Sequence, residues 1–466
     1  MNVRRALDAI CPDRVVTPAH PAYDAVRLLF NGMYDRRPRL ICLPRDDREA
    51  RDVVRVARES GLPTAVRGGG HNVAGAGSLD DGLVIDLRLL NHVVVDPRAG
   101  LARVGGGATW SDFDLAAGTH GLACTGGTFD TTGVGGLTLG GGIGHLMGRC
   151  GLACDNVVSY RMVTADGEQL VTDRESDPEL DWALRGAGHN FGLVTDFDFR
   201  LHPIGTVYGG YVAYPGAAMS VAVRLFRDLM LAAPDELTCT LLLERYGPTQ
   251  TPAAVMSVCY SGKDAGYRAT LDKTLRSVGV LDWQVTDRSY VSMQVCLGRL
   301  PFGLRHHWSA RCADDLPDEL ADRLVERFHA GRITDPFNDT ILIEPIHGAV
   351  RRAAPESSAV PFREARFNVT GMAIWSTADA DAEQAAWAKS VAEVVEPHGR
   401  WGDGYINYVA EARAGAAGRA ARTFGAGYDR LLAVKRRLDP DNFFRSNYNL
   451  DPATGNLAAG NLTGKS

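Results

Sequence analysis

Apolar and polar positions follow two rhythms along this chain, and the change comes near residue 205. In the first part, 40–43 predicts a short strand ended by Pro44. At 46–60, Val53, Val54, Val56 and Ala57 recur at helical spacing against Arg and Glu, and Gly61 follows as a left-handed C-cap would. Residues 64–66 and 83–87 read as strands. Residues 93–97 and 101–104 read as a hairpin around Pro-Arg-Ala-Gly, and 109–119 as a helix opened by a threonine cap. Residues 194–201 alternate as a strand does. Beyond 205, alternating runs at 237–243, 255–260, 341–344 and 367–375 lie between helical stretches at 217–232, 316–330 and 380–395. That is the pattern of an antiparallel sheet with helices on one face. A last amphipathic helix begins at 428 and stops at Asp439-Pro440. The class is α/β or α+β with a domain boundary near Ile204, and no fixed-period repeat suggests a solenoid.

Glycine changes this picture. The chain has 52 glycines, concentrated before position 215. At 64–75 a β-branched run enters Arg67, Gly68, Gly69 and Gly70 and then presents His71 and Asn72. Consecutive glycines accept φ > 0 and bring backbone N–H groups close to an anion, of which a diphosphate is the usual one; a tight turn is the alternative. A second field, 126–144, is too rich in glycine for a packed helix or strand. Val134, Leu137, Leu139 and Ile143 anchor it, so a loop wrapped on a ligand is expected. A third loop, 185–192, runs into the strand at 194. None of them shows G-x-G-x-x-G between strand and helix, which disfavours a Rossmann dinucleotide fold.

With 45% hydrophobic and 23% charged residues the chain reads as a globular protein of two domains. A net charge of −6 and the lack of any Lys/Arg block argue against nucleic-acid or anionic-membrane partners. No apolar h-region precedes Asp8 and no apolar run approaches the ~20 residues of a membrane span, so the cytoplasm is the expected compartment. Nine scattered cysteines read as reduced thiols. Cys150 and Cys154, with His145 as the one nearby addition, make a poor metal set, so no metal is expected.

Five ordered motifs, 67–72, 133–144, 151–158, 185–195 and 438–449, resemble berberine bridge enzyme-like FAD-linked oxidases of the vanillyl-alcohol oxidase/p-cresol methylhydroxylase superfamily. The likeness is strong to about 205 and again after 400. It implies an α+β fold. Residues 1–204 would form a two-lobed FAD-binding domain, 205–420 a substrate domain on a large antiparallel sheet, and 421–466 a C-terminal segment returning to the flavin domain. The cofactor-binding positions it implies are Arg67, Gly68, Gly69, Gly70, His71, Asn72, Gly133, Val134, Gly135, Gly136, Leu137, Gly140, Gly141, Gly142, Gly144, Asp155, Asn156, Gly192, Val194, Asn447 and Asn449. In the family the loop histidine is joined to the flavin 8α-methyl, and His71 holds that position. Some members add a cysteinyl link; that position here is Phe129, so a single link is expected, with Cys124 reachable only by a shifted loop. Val134, between the glycines of its motif, implies reaction with dioxygen.

Hydride transfer to a flavin requires a base for the proton of the oxidised hydroxyl or amine. Tyr405-Ile406-Asn407-Tyr408 resembles the family's Tyr-x-Asn-Tyr segment, whose second aromatic often carries the base, which makes Tyr408 one candidate: a phenol with its pKa lowered by burial beside cationic or hydrogen-bonding groups, in an extended segment where it would share a face with Ile406. Glu344, its pKa raised by desolvation on a strand facing the flavin, is the other. His347, His306, His307 and Trp308 are possible pocket walls, with at most one of the adjacent histidines pointing in. The expected function is an FAD-dependent oxidase of a small alcohol or amine, with dioxygen as acceptor. The alternatives are a flavin monooxygenase or oxidative cyclase, a carbohydrate oxidase, and a binder without activity.

Overall fold

The computed structural model describes residues 2–331, 333–334, 337–400, 402, 404–410, 416–446 and 448–454. These build an α+β fold. Leu40–Cys42, Leu83–Asp86 and Thr64–Arg67 pair in parallel, with Val15–Val16 antiparallel at the edge. Helix Asp47–Ser60 is N-capped by Asp46 and ended by Gly61 at φ 66°, and it buries Ala50, Val53, Val54 and Ala57. An antiparallel sheet follows, ordered Val93–Asp96, Leu101–Gly105, Leu193–Arg200, Val157–Val163, Gln169–Thr172. Helix Trp110–Gly118 closes over it with a capping box between Thr109 and Asp112.

The largest sheet runs Asp282–Trp283, Thr206–Pro215, Thr251–Tyr260, Leu237–Tyr246, Thr340–Pro345, Phe367–Trp375, Arg305–Ala313, and every pairing in it is antiparallel. Helices Met219–Leu231, Asp318–His329 and Asp381–Val395 cover one face, where Leu241, Leu243, Ile341, Ile343, Val369 and Ala373 join their apolar stripes in one core. Strand side chains alternate, so Leu242, Leu342, Glu344, Asn368, Met372 and Trp308 occupy the other face. That face looks toward the glycine loops.

Three expectations require correction. The field at 126–144 does contain a helix, Val134–Leu139, capped by Gly133. It is short, and its glycines admit close neighbours: a Cβ on Gly135 would stand 2.7 Å from the Gly106 carbonyl oxygen. Residues 406–408 form a 3-10 turn in place of an extended segment, so Tyr405 and Tyr408 come into ring contact at 4.7 Å. The loop beginning at Arg185 starts inside helix Pro178–Ala187, which bends at Arg185 and Gly186 (φ 123°).

Candidate active site

A cleft of about 1520 Å³, counting its part open to solvent, runs between the glycine loops and the sheet face. Gly68, Gly69, Gly70, His71, Asn72, Gly133, Gly135, Gly136, Leu137, Gly192 and Val194 all line it, and Arg67 borders it. The first loop and Gly133 touch backbone to backbone: a Cβ on Gly69 would lie 2.5 Å from the Gly133 nitrogen. Among the described residues, the amides of Gly68, Gly69, Gly70, His71 and Asn72 donate to no protein acceptor. Gly135 and Gly136 add the first-turn amides of a helix. Free N–H groups converging on a cleft are what a diphosphate needs, so this donor set fits FAD.

Several implied cofactor positions do structural work, Arg67 at the edge of the cleft and the others away from it. Arg67 turns its guanidinium to buried Asp86 (Nε–Oδ2 2.9 Å) and to the Val26 carbonyl. Val134 is fully buried, its amide donating to Ala108 O at 2.8 Å. Gly140 makes room for Asn407, and Gly144 for the Gly126 carbonyl. Gly141 and Gly142 hold φ 118° and 92°, and Gly142 N–H donates to the Tyr405 hydroxyl at 3.1 Å. Asp155 pairs with buried Arg363, and Asn156 donates to Cys150 O and Leu152 O. Asn449 does not reach the cleft, and Asn447 lies outside the described residues. The C-terminal segment contributes Phe444, Ser446 and Tyr448 instead. The sequence signal for these three was their place within the 438–449 motif.

His71 stacks on Phe30 (4.1 Å between centroids) and meets the edge of Phe302 at 5.2 Å, while its Nε2 contacts Thr131 Oγ1 at 2.9 Å. Burial among these rings lowers its pKa to about 4, so the imidazole is neutral and nucleophilic at pH 7. Phe129 lines the cleft; Cys124 is in the core with its thiol pKa raised by burial. Of the two histidines, His306 faces the cleft side and stacks on the far face of Phe30 at 4.3 Å, and His307 takes the opposite strand face. His347 meets the Thr238 hydroxyl at 3.2 Å, away from the cleft. No group of three or more metal-ligating side chains is assembled among the described residues, and no described helix is long and apolar enough to cross a membrane.

The two candidate bases prove to be one unit. Tyr408 Oη donates to Glu344 Oε1 at 3.2 Å, and Asn368 Nδ2 donates to Oε2 at 2.9 Å. Burial raises the Glu344 pKa to about 7, opposed by those two hydrogen bonds. The Tyr408 phenol is also raised, by burial first and then by the Glu344 charge, which corrects the expectation of a lowered phenol. Tyr405, lacking any role in the sequence reading, anchors the turn: its oxygen accepts from Gly142, Ile143 and Asn407 Nδ2 (2.7 Å). Asn407 also donates to Leu137 O at 3.1 Å, tying turn to glycine helix.

A nest of free amides, a histidine at its end and a buried carboxylate–phenol pair across the cleft define a flavin-dependent oxidoreductase. Residues 38–173 match the FAD binding domain family and 404–451 the family described as berberine and berberine like. (R)-6-hydroxynicotine oxidase of Paenarthrobacter nicotinovorans is 30% identical over 97% of this chain and 99% of its own length. The crystal structure of 6-hydroxy-D-nicotine oxidase from Arthrobacter nicotinovorans superposes with a TM-score of 0.83 at 27% identity, covering 95% of this chain and 99% of that one. Berberine bridge enzyme from Eschscholzia californica shares the fold, with a TM-score of 0.86 at 20% identity over 97% and 99% of the two chains. The chain belongs to the berberine bridge enzyme-like FAD-linked oxidoreductases.

Proposed function

We propose that this protein is an oxidase of a small organic alcohol or amine, holding FAD by one covalent link through His71. The hydrogen-bonded pair Tyr408–Glu344 carries the reading. When bound, FAD supplies the hydride acceptor and passes the electrons to dioxygen as hydrogen peroxide. The chain supplies the proton path. Glu344 takes the Tyr408 proton as the phenol oxygen accepts the proton of the substrate O–H or N–H, so the pair never carries two negative charges at once. Asn368 keeps the carboxylate aimed, and Tyr405 holds the turn that places Tyr408. We assign the cofactor to 1–204 with the returning segment 421–466, and the substrate to 205–420.

Phe129 in the lining and Cys124 in the core support a single link. Acid precipitation is expected to leave yellow colour on the polypeptide, and His71→Ala to release all flavin to the supernatant. Colour retained by the variant would place the bond elsewhere. Equimolar peroxide per substrate consumed checks the oxidase outcome; a shortfall with oxygen in the product would favour a monooxygenase.

A further inference from the structure

On the cleft-side face of the large sheet stands a second acidic side chain that the proton path does not use. Glu244 lies on strand Leu237–Tyr246, whose odd-numbered Leu241 and Leu243 face the helices. Leu242 pairs with Leu342 and Leu243 with Ile341, which sets Glu244 beside Thr340. Thr340 pairs with Met372, and Met372 with Trp308, a residue of the cleft wall. The same register sets Thr240 beside Glu344. Glu244 is therefore four residues further along its strand, ~13 Å from the proton-handling end. Between the two ends lie Leu242, Leu342 and Met372, with Phe129 and Leu300 packed against the same cluster.

Glu244 as a residue is half-buried, and among the described residues its carboxyl makes no hydrogen bond or ion pair. No charged neighbour compensates it. Arg245 turns to the other face over Phe328 at 6.0 Å, Arg299 is held by Asp130, and Tyr246, next on the same face, donates to Asp282. Burial alone raises its pKa, to about 7. An anion set among apolar walls without a partner costs stability, and an arriving cation removes that cost.

We propose that Glu244 binds the cationic nitrogen of an elongated, largely apolar substrate whose oxidisable carbon lies at the Tyr408–Glu344 end. This deepens the oxidase reading and rests on it for the direction in which the substrate lies. It narrows the substrate class to protonated amines carrying an apolar body. Neutral sugars, which need rows of hydrogen-bond partners, find leucine and methionine here.

Calorimetric titration of the FAD-loaded protein with 4-phenylbutylammonium and with 4-phenylbutanol tests this. A charge-assisted contact should make the ammonium bind about 10- to 100-fold tighter at about pH 8.5. In the wild type that preference should shrink toward equality at about pH 5.5, because Glu244 is protonated there and the amine is not yet changed. Glu244→Gln should show no preference at either pH. Equal binding of the two probes by the wild type, a preference independent of pH, or one that survives in E244Q would overturn the assignment. Because the Glu344 pKa also lies at about 7, Glu344→Gln is the second variant: it should keep the ammonium preference and its pH dependence, and their loss there with Glu244 intact would overturn the assignment. Binding preference without flavin reduction by any amine would sink the oxidase reading and leave Glu244 standing; reduction by amines with no preference would do the reverse.

Discussion

Glu344→Gln is expected to slow flavin reduction by roughly 10²- to 10⁴-fold, the usual worth of a positioned base. With the Glu344 pKa at about 7, the wild-type limiting rate of flavin reduction at saturating substrate should rise with pH through about 7 and level off above it, because the carboxylate form receives the proton. In the variant that rise should vanish. Glutamine preserves the shape and an acceptor oxygen for Tyr408 but cannot take the proton on. Tyr408→Phe should lose a similar factor, and the double variant little more than either single one, since the two side chains act in series. Stopped-flow reduction under anaerobic conditions across pH measures all of this. A glutamine variant that kept the wild-type rate and pH profile would remove Glu344 from the proton path.

Lys435→Met should be the most damaging change outside the cleft. The ammonium has no exposure and spends its three donors on Asp439 Oδ2 (2.7 Å), Asn190 O (2.8 Å) and Phe444 O (3.0 Å). Asp439 in turn accepts from the amides of Phe443 and Phe444. Methionine fills the space and leaves a buried carboxylate uncompensated, a loss of ~3–5 kcal/mol. Phe444 lines the cleft, so the loss should also loosen FAD in protein whose covalent link has been removed by His71→Ala. Thermal unfolding of the variant and flavin retention in the double variant check the two effects. A melting temperature unchanged in Lys435→Met would show that the segment is held by apolar packing alone.

Local signals carried the sequence a long way. The Thr109 cap, the Gly61 stop, the alternation at 367–375 and the single histidine after three glycines each act over a few residues, and each is read without knowing what packs above. What stayed hidden depends on pairing between distant strands. Asn368 looks like any polar residue of an alternating strand until the register places it opposite Glu344. Asp155 and Asn156, near glycine in sequence, are claimed by Arg363 and by the carbonyls of Cys150 and Leu152, partners that spacing does not reveal. A lowered Tyr408 pKa needs cationic or hydrogen-bond-donating groups beside the phenol; the neighbour that the fold supplies is an acid. The short helix Val134–Leu139 was missed because glycine's entropic cost is local while the contacts that offset it, such as Gly135 against Gly106, come from elsewhere.

The strict alternation of the large sheet has an evolutionary corollary. On each strand alternate side chains meet different surroundings, one set the helices behind the sheet and the other whatever molecule arrives in front. Substitutions at 242 or 244 leave the helix-side core untouched, which makes the same backbone a platform for directed diversification toward new substrates.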